Sequence, residues 1–219
     1  MWSGRPLPGG RRVASGRVGE RASHRPSVLA SLLDDTSTPA LMVLAERYGL
    51  PRVPGLSRHG LINRILSHLP ASDLKRLEDE LIAARYGALS VDELLGLFLH
   101  REARRRGRPG RPRLDRISQD EAILLEGGPP RWFFTMRGHD VVIDLARRLL
   151  ACDCPFFAFA ARQQLLCKHL VTAFRLLPEA YAREALIDLL VQQRYGQPEQ
   201  PGWRFESTYR REGEVALSA

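Results

Sequence analysis

The stretch LLACDCPFFAFAARQQLLCKHLVTAFRLL, residues 149–177, contains all three cysteines of the chain, Cys152, Cys154 and Cys167, with His169 two positions beyond the last. Two thiols one residue apart suit a strand end or tight turn that aims both at one point. The second pair opens an apolar-faced helix over 169–177, whose dipole helps to ionise Cys167. Three thiolates and one imidazole complete the tetrahedral shell that zinc prefers, leaving no position for an activating water. The expected cofactor is therefore a structural Zn2+ held by Cys152, Cys154, Cys167 and His169. The competing interpretation is inert buried cysteines beside a surface histidine. The odd cysteine count argues against a disulfide framework and for a reducing, cytoplasmic compartment, nucleoid-associated in a bacterium or nuclear in a eukaryote.

Upstream of this window the pattern is helical. Apolar residues at helical spacing predict helices over 27–35, 38–48, 59–69, 72–86 and 90–105, with Thr38 as a capping candidate. Pro51, Pro54 and Gly55 require an extended or turning link between the second and third. From Ile117 the pattern changes. Short apolar runs at 121–125 and 132–136 precede segments 141–145 and 148–152, which read as strands around a turn, although 141–150 also fits a helix. His139-Asp140 reads as a turn between strands. A last helix over 178–195 ends at Gly196, and the tail carries Trp203, Phe205 and Tyr209 among arginines. These aromatics either stack on unpaired bases or form a final strand.

The run WFFTMRGHDVVIDLARRLLACDCPFF, strand-like as a whole, followed by CKHLVTAFRLL resembles the SWIM-type zinc finger, with its Cys-x-Cys, variable spacer and Cys-x-His. The resemblance spans about 117–177. It implies a small ββα fold with zinc on the same four residues, and a role in binding DNA or protein partners rather than in catalysis. A second likeness covers 38–69, where LMVLAERYGLPRVPGLSRHGLINRIL resembles a SAP-type helix–extended–helix module. That likeness places Arg52, Arg58, His59 and Arg64 near phosphate. Gly60 departs from the family's usual charged helix former. The alternative for these residues is the solvated face of a helical hairpin.

The chain is strongly basic, with a formal net charge of +8, and basic segments of this kind seek polyanions. The sequence Arg106-Gly-Arg108-Pro-Gly-Arg111-Pro-Arg113 resembles an AT-hook. In such a hook, proline keeps the strand open and arginines enter a narrow A·T minor groove. The alternative is a flexible basic linker. The expected organisation is a disordered basic arm over 1–26, a helical SAP-like region over 27–105 and a basic linker over 106–116. A zinc domain with following helices then spans 117–195, and a tail spans 196–219. The fold class is α+β.

No phosphate-cradling glycine loop, nucleophile elbow or span of ~18 apolar residues is present, so an enzyme or a membrane protein is not expected. The expected function is zinc-dependent DNA binding in recombination, transposition, remodelling or transcription. The alternative is an adaptor for a separately encoded helicase, remodelling ATPase or recombinase. The acidic run around 78–80 suits the adaptor better than direct DNA contact.

Overall fold

The computed structural model describes residues 27–105, 121–196 and 202–208. Five helices come first: α1 (Val28–Asp34), α2 (Thr38–Arg47), α3 (Arg58–His68), α4 (Ala71–Tyr86) and α5 (Val91–Arg105). Four of them start at serines whose hydroxyls satisfy otherwise unpaired backbone N–H groups, whereas α4 starts at Pro70 with no side-chain cap. Ser27 accepts from the Ala30 N–H and Ser57 from the Gly60 N–H. The cap of α2 is Ser37, one residue before the expected Thr38, because Pro39 already occupies the first turn, where its missing N–H costs nothing. Before α5, Ser90 and Glu93 form a reciprocal capping box: the Glu93 N–H donates to the Ser90 hydroxyl at 3.3 Å, and the Ser90 N–H donates to the Glu93 carboxylate at 2.8 Å.

The first core is small. Leu29 and Leu33 of α1, Leu41 and Ala45 of α2, Ile62 and Ile65 of α3 and Leu77 of α4 close on one another. The second core is larger and reaches back across 106–120. It takes in Tyr86 together with Leu94, Leu95, Phe98 and Leu99 of α5, so α5 packs with the later half of the chain.

That later half is built on a five-stranded sheet in the order β1 (Ala122–Glu126), β2 (Arg131–Met136), β3 (His139–Asp144), β4 (Leu149–Cys152) and β5 (Arg204–Ser207). β1 to β4 form an antiparallel meander, and β5 pairs parallel to β4. Alternation puts Trp132, Phe134 and Met136 of β2 inward beside Val141 and Ile143 of β3. The β2–β3 hairpin turns on Arg137 and Gly138, both left-handed (φ 51° and 74°), a geometry that matches strand twist and that glycine adopts without cost.

Where the resemblance implied a small ββα fold, the chain forms a five-stranded sheet with helices after β4. Residues 141–152 take the strand alternative; Phe205 lies in the final strand β5 and Trp203 just before it, while Tyr209 lies outside the described residues. Trp203 is buried, and its indole N–H donates to Asp188 at 3.0 Å. After β4 come α6 (Pro155–Ala160), one 3-10 turn (Ala161–Gln163), α7 (Lys168–Leu176) and α8 (Glu179–Tyr195).

A polar hub joins the helical region to α8. The Asp35 carboxylate oxygen Oδ2 accepts from Tyr195 at 2.7 Å, Arg194 at 2.8 Å and Arg85 at 2.9 Å. Burial alone would raise this carboxyl. The hydrogen bonds from Tyr195 and Arg85, with the charges of Arg194 and Arg85, outweigh that and hold it below its ordinary value. Burial, then the bond to Asp35, pushes the Tyr195 hydroxyl well above its ordinary value.

A lowered acid contributes stability that is lost as pH falls through its folded pKa. A raised phenol contributes stability that is lost as pH rises past its unfolded pKa. Urea titrations should therefore show stability falling below pH about 4 and above pH about 10. Asp35→Ala should cost about 1–2 kcal/mol at neutral pH, discounted for partial exposure, and should flatten both limbs.

Candidate metal centre

The meander register delivers the first ligand. Val141 of β3 faces Cys152, the last residue of β4, and both are fully buried. Two residues on, Cys154 caps α6. The strand expected over 148–152 is β4, but the strand-like run stops before 155–157, because Pro155 fixes a helical φ at the first turn and Phe157 and Ala160, three apart, turn inward. This added helix and the 3-10 turn, which closes on Gln164 in a left-handed conformation, reverse the chain. Cys167 then caps α7, its sulfur accepting from the Leu170 N–H at 3.5 Å, and His169 follows in the first turn. All four expected ligands are brought together.

Their ligand atoms lie within 4.8 Å of one another, and the four residues are 0–2% exposed. The possibility of a surface histidine is overturned, since His169 is 2% exposed. Its Nδ1 stands 3.7 Å from the Cys152 sulfur. A tetrahedral ion with bonds of about 2.3 Å to sulfur and 2.0–2.1 Å to nitrogen sets that edge at roughly 3.6 Å. Its other nitrogen, Nε2, is buried with no hydrogen-bond partner among the described residues.

The thiols divide their protons unevenly. Hydrogen bonds from Cys152 and Cys167 drive the Cys154 thiol far below its usual value, and the same contact with Cys154 drives Cys152 far above. Burial pushes Cys167 up to about 12. A divalent cation would displace the thiol protons and hold the sulfurs as thiolates. The donor set, its burial and the edge distance all fit a closed metal site.

Two residues beside the ligands escaped the sequence reading. His139 and Asp140 are not a turn, because the Arg137–Gly138 pair makes the turn and His139 begins β3. The His139 ring lies 4.8 Å from that of His169, tilted by 51°. Its Nδ1 is 3.1 Å from the carboxylate of Asp153, the residue between Cys152 and Cys154. The same carboxylate oxygen accepts from the Asp140 N–H at 3.0 Å, and the Asp153 N–H donates to the Asp140 carbonyl at 3.2 Å. Only the β3–β4 register, which carries 139–140 across to 153, reveals this neighbourhood.

Of the residues expected near phosphate, Arg52, Arg58, His59 and Arg64 lie among the described residues. Arg52 is paired with Glu46 beside it. Arg58 ties the start of α3 to the end of α1, donating to the carbonyls of Leu33 and Asp34 and lying 3.7 Å from the Asp34 carboxylate. Arg64 and Arg52 line an apolar groove of 280 Å³ with Met42, Leu50, Val53 and Leu56. The Arg64 Nε has no partner among the described residues, and His59 is exposed. Arg106, Arg108, Arg111 and Arg113 lie outside the described residues.

No helix among the described residues is long and apolar enough to cross a membrane. No protein-family model matches the chain, and no curated protein or solved structure matches it.

Proposed function

We propose that this chain is a non-catalytic, zinc-folded DNA-binding protein of the SWIM type, acting in recombination, transposition, remodelling or transcription. Its folded body is the scaffold, and its two arginine segments make the phosphate contacts. The metal is zinc on this reading, because three thiolates and an imidazole in a closed, buried shell are the donor set of structural zinc sites.

The observation that carries the DNA reading is where the charge lies. Six arginines against one glutamate give 1–26 a charge of +5, and five arginines against one aspartate give 106–116 a charge of +4. Together these exceed the +8 of the whole chain, so the remainder is close to neutral. Arg58 is engaged with the carbonyls at the end of α1, and Arg52 forms an exposed pair with Glu46. Affinity then comes from phosphate neutralisation, with slight sequence preference.

Fluorescence anisotropy with single-stranded, mixed duplex and A·T-rich duplex DNA tests this at two salt concentrations. About six phosphate contacts imply a loss of roughly a thousandfold in affinity between 50 and 200 mM salt. Changing Arg108 and Arg111 together to alanine should weaken the A·T duplex most. An absence of binding to all three at low salt would overturn the proposal.

A second reading, an adaptor for a helicase, remodelling ATPase or recombinase, is favoured by the apolar groove between α2 and α3. It predicts an association with a protein partner that is insensitive to salt.

A further inference from the structure

We infer that His139 is a positioning residue for the metal centre: through Asp153 it clamps the Cys152–Cys154 turn to β3 and fixes how long the ion is retained. The inference rests on the zinc reading above and adds a determinant outside the four ligands.

The geometry is reciprocal. The turn that presents Cys152 and Cys154 has one residue, Asp153, whose backbone and side chain both bond to β3. Its N–H donates to the Asp140 carbonyl at 3.2 Å, and its Oδ1 receives the Asp140 N–H at 3.0 Å. The same Oδ1 is 3.1 Å from the His139 Nδ1, an arrangement in which the ring N–H donates to the carboxylate. His139 is therefore held by the first pair of ligands while its ring rests 4.8 Å from His169 of the second pair.

One side chain thus bridges the two halves of the site, which are otherwise separated in sequence by α6 and the 3-10 turn. The His139 and Asp153 side chains are only 32% and 30% exposed, so the bond between them is partly shielded from competing water. Groups that hold metal ligands in place are typically worth about tenfold to a hundredfold in metal affinity. The contact is made by a histidine outside the Cys-x-Cys and Cys-x-His pairs, which is why spacing alone does not disclose it.

The test uses the whole chain loaded with one zinc and compares the parent with two variants. His139→Phe keeps a ring against His169 and deletes the donor. His139→Asn keeps a donor near the Nδ1 position and deletes the ring. Zinc loss to a chromogenic chelator is followed for each, and the thiolate-to-cobalt charge-transfer spectrum is recorded after cobalt substitution.

The expected result is zinc loss about tenfold to a hundredfold easier in His139→Phe, with a shifted cobalt spectrum, and a return to within a few-fold of the parent in His139→Asn. Equal retention in His139→Phe and the parent, or equal loss in both variants, would overturn the clamp. A parent that binds no zinc would instead overturn the metal reading on which the clamp rests.

Discussion

Replacing Cys154 by serine is expected to abolish the near-ultraviolet signal of the chain and to open 121–196 to protease. Structural zinc sites supply about 10–16 kcal/mol of apparent binding energy in small fingers. That is as large as the whole ~5–15 kcal/mol by which a domain is stable. The core around the site has few alternatives to the metal, because Cys152, Cys154 and Cys167 themselves fill positions among Val141, Phe157, Leu170 and Phe174.

Unfolding should also take α5 with it, since Leu94, Leu95, Phe98 and Leu99 belong to that same core. The smaller cluster around Leu33, Leu41, Ile65 and Leu77 should persist only as a marginal helical remnant. Limited proteolysis read by mass spectrometry checks this, and early cuts should appear both in 121–196 and in 91–99. A variant with parental protease resistance throughout would contradict it.

The second large effect concerns α5 directly. Phe98 lies before the basic segment 106–116 in sequence, yet it is 2% exposed and packs in the core that contains the three cysteines. Phe98→Ala should cost about 3–5 kcal/mol through lost burial and the cavity it leaves. The loss should also lower the chelator concentration at which the sheet unfolds. Leu33→Ala, in the smaller cluster, should cost about 2–5 kcal/mol and leave chelator resistance nearer that of the parent. Denaturant titration with and without chelator separates the two. Equal chelator resistance in the parent and Phe98→Ala would mean that α5 is not energetically part of that core.

The four ligands were legible in the sequence because metal chemistry imposes residue type and spacing that ordinary cores do not. The five early helices were legible for a similar reason. The periodic leucines are local signals that tertiary packing here reinforces, while the cap expected at Thr38 falls one residue earlier, at Ser37. What stayed out of reach was non-local. An amphipathic pattern says that α5 buries a face, but not which of two cores receives it.

The short run PFFAFA has no periodicity long enough to separate strand from helix, and the proline at its start decides the matter only once a turn at Cys154 is given. The fifth strand was open as an alternative, yet its parallel pairing with β4 depends on the return of α8. His139 could not be placed beside the site without the β3–β4 register. That Arg52 pairs with Glu46 and Arg58 with the end of α1 likewise follows from no local rule.

The central claim is that one ion on Cys152, Cys154, Cys167 and His169 holds the second core together. Native mass spectrometry of the full chain, purified under reducing conditions, tests it most directly when paired with near-ultraviolet circular dichroism before and after chelation. The account predicts one zinc per chain and a collapse of the dichroic signal when that zinc is withdrawn, restored by adding zinc back. A metal-free chain that keeps the full signal would contradict it.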